Sequence, residues 1–188
     1  LAARSARPLP CPPPPPTPVF APLPPGPVAP LAVYAPVPDP GALAVGALAA
    51  RLQPAQLSIA VQPTLTQING RATAAHLNGG EFIALADNRY RHGKLIEWER
   101  DAQRWALTGS PNLSAAALLK PTALGGNVEI GVIARIAESL LPEGVASSSS
   151  TLTAITYKRR EEKPSGGVIV LSAVRTADAV QQQHEGAA

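Results

Sequence analysis

Methionine is absent from this chain of 188 residues, and cysteine occurs once, at Cys11. A chain that opens on leucine and carries no methionine reads as a fragment, a processed form or a partial reading frame rather than an intact translation product. One cysteine excludes an internal disulfide framework and a cysteine-rich zinc site. No run of about 18 apolar residues free of proline and charge occurs, so no membrane span is expected. The start lacks the apolar core of a signal peptide, which makes a cytoplasmic location the expectation. Charge is sparse: 15% of residues are charged, with a net charge of +3. That mild basic bias suits an anionic substrate but is too weak to argue nucleic acid by itself. No ligand cluster calls for a metal, and no cofactor is expected.

Proline, by contrast, is abundant, and most of the 22 residues fall between Pro8 and Pro40, including the run Pro12 to Pro16. Proline lacks the backbone donor that ladders need, so residues 1–40 read as an extended, disordered arm or linker. Composition changes at Gly41. Ala42 to Leu52 reads as a helix, Leu57 to Val61 as a buried strand, and Asn69 as the cap of a short helix reaching His76. Glu81 to Ala86 is the next strand. A polar loop from Asp87 to Arg91 delivers the chain to His92 and a strand through Trp98. A return strand, Arg104 to Thr108, completes a hairpin, with Trp98 and Trp105 as a cross-strand aromatic pair. A helix over Leu113 to Leu119 and a final strand over Val128 to Ile133 follow. Helices alternating with strands indicate an α/β domain over 41–142, a mixed sheet flanked by helices. After Leu141-Pro142, residues 143–188 read as a serine linker, Ser147 to Ser150, and the opening of a β-rich domain. Its two strands, Thr151 to Tyr157 and Gly167 to Val174, are separated by the charged run Lys158 to Lys163.

The most specific pattern is His92-Gly93-Lys94, followed by Gly109-Ser110-Pro111-Asn112. On a strand, residues two apart share a face, so His92 and Lys94 are expected to project side by side into one pocket. Lysine supplies a fixed positive charge, and histidine a nucleophile or proton carrier that titrates near neutrality. Gly109 permits a tight turn, with Ser110 and Asn112 offering short hydrogen-bonding groups. The N-terminal amides of the following helix are expected close by, where they favour an anion.

These residues resemble the phospholipase D superfamily, whose half-site signature is H-x-K-x4-D followed by G-S-x-N. The resemblance spans Gln56 to Ile136 and implies a phospholipase D-like half-domain. It implies that His92 attacks a phosphodiester and forms a phosphohistidine, while Lys94, Ser110 and Asn112 hold the phosphate. It also makes Glu129, in Asn127-Val128-Glu129, the carboxylate that orients the histidine. Two departures stand out. The aspartate position holds Glu99, and the gap to the Gly-Ser turn is longer, read as a longer hairpin between Trp98 and Arg104. The superfamily also builds one active site from two such halves. His76 and His184 have no lysine two residues on, so the second half is expected from an identical chain or from sequence outside this one.

The expected activity is a metal-independent phosphodiesterase, acting most readily on DNA or RNA. The alternatives are a lipid diester as substrate, or a non-catalytic phosphate-binding scaffold. A phosphodiesterase-like module followed by a further domain also resembles bacterial nucleases and helicase-associated proteins. Arg89 and Arg91 either help hold the anionic substrate or pack along the loop. His76 reads as a surface residue or helix C-terminal cap, and His184 as part of a disordered polar tail.

Overall fold

The computed structural model describes residues 18–77, 79–157, 168–175 and 180–186. The chain divides after Lys158 into two units, Leu1–Lys158 and Arg159–Ala188. In the first, the elements run β1 (Leu31–Tyr34), α1 (Leu43–Leu52), β2 (Leu57–Val61), α2 (Gly70–Ala74), β3 (Glu81–Leu85), β4 (Leu95–Arg100), β5 (Gln103–Gly109), α3 (Ala115–Leu118), β6 (Gly131–Ile136), β7 (Gly144–Ser147) and α4 (Ser149–Thr153). The strands form one seven-stranded mixed sheet in the order β6-β5-β4-β1-β2-β3-β7. β1, β2 and β3 are parallel neighbours; β4 joins β1 antiparallel, β5 and β6 extend that side as a meander, and β7 closes on β3. Parallel neighbours need a crossover, and α1 and α2 supply the two. The second unit holds β8 (Val168–Arg175) antiparallel to β9 (Val180–Gly186).

Alternation along the strands sends Leu31, Val33, Ile59, Val61, Phe82, Ile96, Trp98 and Leu107 to one face, where they meet Val45, Leu48 and Leu52 of α1 in the main core. The opposite face carries a smaller cluster of Tyr34, Ala60, Leu85, Leu95 and Ala106. Trp98 and Trp105 stand directly opposite each other in the β4–β5 register, as the sequence implied. Asn69 caps α2, its side chain accepting from the Ala72 amide at 3.1 Å.

Several expectations need correction. Leu31 to Tyr34, read as part of a disordered arm, form the central strand of the sheet. These four residues lie between Pro30 and Pro36, so neither proline removes a donor from the ladder. Residues 1–17 of that arm and the charged run Lys158 to Lys163 lie outside the described residues. The hairpin is tighter than expected, turning through Asp101 and Ala102 alone with φ of 52° and 56°. Both residues in the left-handed region match the turn to the strand twist. The last strand of the meander starts at Gly131, three residues beyond Val128.

The stretch read as a linker and a strand is instead β7 and α4. Leu152 of α4 is fully buried in the main core, and the Gly70 amide donates to the Ile155 carbonyl at 3.2 Å. A Cβ on Gly70 would lie 1.8 Å from the Leu152 carbonyl oxygen, so only glycine lets α2 and α4 approach this closely. Packing of one leucine overrides a serine-rich local composition. His76 is half-buried against α1, where a Cβ on Gly46 would meet its ring. His184 stands on β9 opposite Val170. No helix among the described residues is long and apolar enough to cross a membrane.

Candidate functional site

The chain leaves β3 at Leu85 and enters β4 at Leu95, three places along the sheet with β2 and β1 between them. To do so it crosses the carboxyl ends of β2 and β1. In open α/β sheets the crevice outside the carboxyl ends of the strands, where the strand order reverses, is where ligands bind. Here the reversal lies at β1, which has β2 on one side and β4 on the other. His92, Gly93 and Lys94 line a cleft there of about 390 Å³ with Tyr34, Arg91, Leu95, Thr108, Gly109, Leu140 and Pro142.

His92 and Lys94 lie in the segment just before β4, not on the strand itself. Their side chains nonetheless meet as period-2 geometry requires. The Lys94 ammonium Nζ is 2.9 Å from both Nδ1 and Nε2 of the ring and 3.3 Å from the His92 carbonyl oxygen. Equal distances to both nitrogens place it off either lone-pair axis, so the contact is charge against ring rather than one directed hydrogen bond. His92 is exposed, whereas Lys94 is only 9% exposed. Burial pushes the Lys94 pKa below the ordinary lysine value, and the negative charge of Glu129 opposes that shift. The Tyr90 ring tilts against the imidazole, with centroids 5.9 Å apart.

Next to Lys94, the β4–β5 register sets Leu95 opposite Thr108, which brings Gly109 to the cleft and Ser110 just beyond it. Gly109 has a φ of 148°, and a Cβ there would lie 2.1 Å from the Ile130 carbonyl oxygen. Ser110 accepts a hydrogen bond from the Ile130 amide at 3.0 Å and donates to the Glu129 carboxylate. Asn127 Nδ2 donates to the other Glu129 oxygen at 3.0 Å. Glu129 is therefore held by Ser110 and Asn127; the hydrogen bonds of the described residues include none between it and His92, the partner the resemblance implied. The helix expected to aim its amides at the pocket is four residues long, and the Ser114 side chain caps it by accepting from the Ala117 amide.

Asn112 Oδ1 and Arg91 Nε are buried without a hydrogen-bond partner. Buried polar atoms are nearly always paired, and Arg91 lines the cleft, so its orphan Nε is informative. Arg89 is exposed and enters the site through its backbone, its carbonyl accepting from Gln62. Glu99, at the position of the signature's aspartate, is a scaffold residue: it pairs across the hairpin with Arg104. Glu97, nearly buried, accepts from the Leu140 amide at 2.9 Å and the Ser139 hydroxyl at 3.1 Å, tying the Leu140 wall of the cleft to the sheet.

Two residues escaped sequence reasoning. Gln62 is fully buried just past β2, and Tyr34 ends β1. Both hold the loop that carries His92. A lone polar residue ending an apolar strand was the available signal for Gln62; nothing local marked Tyr34. Among the described residues, no group of three histidine, cysteine, aspartate or glutamate side chains could hold a metal ion. No protein-family model, characterised protein or solved structure matches this chain.

Proposed function

We propose that this protein is a phospholipase D-like phosphodiesterase that works through a phosphohistidine, with nucleic acid as its substrate. The observation that carries the reading is the Lys94 ammonium at 2.9 Å from the ring nitrogens of an exposed His92 in an open cleft. Glu129 adds support: a carboxylate held by Ser110 and Asn127, and attracted by Lys94, occupies the position an anionic oxygen would favour.

A ring nitrogen of His92 attacks phosphorus as the bond to the leaving oxygen breaks. The leaving alkoxide takes a proton from a second histidine, which a second copy of the chain or another half-site must provide. Water, giving a proton to that now neutral second histidine, then attacks phosphorus, breaking the P–N bond and freeing His92. Splitting one displacement into two easier steps is the benefit of covalent catalysis. Lys94 lies within reach of the charge that grows on the non-bridging oxygens. Ser110 and Asn112 join it once phosphate displaces Glu129 from Ser110 and the Asn112 amide turns its Nδ2 toward the anion.

The test is hydrolysis of a chromogenic phosphodiester in the presence of EDTA, by the wild-type chain and by His92→Ala. Activity that survives EDTA and is lost in His92→Ala is the expected result. Loss on chelation counts against this site, and a folded protein with no activity turns the reading to a phosphate-binding scaffold.

A further inference from the structure

We propose that Gln62 and Tyr34 are positioning residues that hold His92 in its reactive place by clamping the two sides of residue 91. The inference rests on the phosphodiesterase reading for its consequence in catalysis, and on geometry alone for the clamp.

Gln62 uses its whole amide on the loop. Its Nε2 donates to the carbonyls of Ala86 at 2.9 Å and Arg89 at 2.7 Å, while Oε1 accepts from the Arg91 amide at 2.9 Å. The partners are carbonyls on one side and an N–H on the other, so one orientation of the amide alone satisfies them. Tyr34 takes the other side of the same residue: its hydroxyl donates to the Arg91 carbonyl at 2.6 Å and lies 3.4 Å from Gln62 Oε1. That carbonyl belongs to the peptide bond that begins His92. On the far side of His92, Gly93 packs on the Tyr34 ring, where a Cβ would lie 3.4 Å from Cε1. His92 is thus exposed but gripped at both neighbours by two buried side chains from the ends of β1 and β2.

The grip is rigid where the imidazole is not. Gln62 is fully buried, and breaking any of its bonds leaves a backbone group of the loop unpaired. Loops are mobile by default, and reactive side chains on them gain precision from locked supporting contacts. A misplacement of about 1 Å at a reacting group is enough to cost about 10²-fold in rate.

The experiment compares wild type, Gln62→Met and Tyr34→Phe in the full chain. The readouts are kcat and KM on the chromogenic diester, amide exchange at Arg91, and the NMR signals of the His92 ring. A drop in kcat of about 10²-fold for Gln62→Met with KM little changed is expected. A smaller drop is expected for Tyr34→Phe, which keeps the ring under Gly93. The Arg91 amide should exchange faster in Gln62→Met while amides of β1 and β2 stay protected, and the His92 signals should move in both variants. A purely structural role would lower stability without touching kcat or the ring signals, the outcome expected of Gly70→Ala. Folded variants with wild-type kcat, beside an inactive His92→Ala, would overturn the proposal. If wild type hydrolyses no diester, the functional reading falls by itself. The clamp then stands on Arg91 exchange and the His92 signals, and unchanged values in folded Gln62→Met overturn it. Tyr34→Phe serves as the milder variant should Gln62→Met not fold.

Discussion

Replacing Lys94 by methionine should separate stability from activity in opposite directions. Lys94 is 9% exposed, and burial has pushed its pKa down despite the nearby Glu129. The native state therefore tolerates this charge less well than the unfolded chain does. Methionine keeps the length of the stem and removes the charge, so the unfolding free energy should rise at neutral pH, by less than about 1 kcal/mol because the open cleft lets water screen the ammonium. The sign of the pH dependence follows from the depressed pKa. Between that pKa and the ordinary value of 10.5, the unfolded chain binds more protons, so wild-type stability gains as pH rises through this window. The advantage of Lys94→Met should shrink over the same range and vanish above it. Catalysis should move the other way. Loss of a preorganised donor at developing charge costs about 10²–10³-fold in kcat. Urea unfolding at several pH values and diester hydrolysis on the same samples make the comparison. A folded Lys94→Met with activity within tenfold of wild type would falsify the assignment of Lys94 to the phosphate. Stability that falls instead would mean the ammonium is satisfied in the native state, contrary to its lowered pKa.

Gly109→Ala forces a side chain into a φ of 148° and to 2.1 Å from the Ile130 carbonyl. It should cost about 2 kcal/mol and, by shifting Ser110 and Glu129, reduce kcat; an unchanged Tm and rate would show that the β5–β6 junction yields freely. Gly70→Ala should lower stability by about 2–3 kcal/mol, because its Cβ would lie 1.8 Å from the Leu152 carbonyl, while kcat stays at the wild-type value. Tyr34, buried and beside Tyr90, has a pKa pushed up to about 12. One of the three tyrosines should therefore ionise late in an ultraviolet titration. Its raised pKa makes stability fall as pH climbs from about 10 toward 12, since the unfolded phenol releases its proton first. Tyr34→Phe should abolish the late component.

Much of the frame was legible wherever local chemistry and tertiary packing agreed. α1, β2 and the Asn69 cap follow from apolar spacing and cap chemistry, and the Trp98–Trp105 pairing follows from the hairpin. The misreadings share a cause. β1 has four residues in a proline-rich stretch, too short to signal itself, and becomes a strand because β2 and β4 both pair with it. α4 looked like a linker because serine favours coil, but the burial of Leu152 against α2 decided its state. β9 lies in a polar stretch whose strand character comes from pairing with β8.

At the site, the order of His92, Lys94, Gly109, Ser110, Asn112 and Glu129 was readable, since residue types two apart or around a glycine turn constrain which side chains meet. The sequence by itself determined that a histidine and a lysine share one pocket and that an α/β sheet carries them. Tertiary structure decided where that pocket lies and what steadies it. It placed the loop over the ends of β1 and β2, gave Glu129 to Ser110, and set Gln62 and Tyr34 beneath residue 91. Those contacts join positions 19 to 57 residues apart in the chain. Only the folding of one strand beside another brings such groups within hydrogen-bonding distance, and no local pattern encodes it.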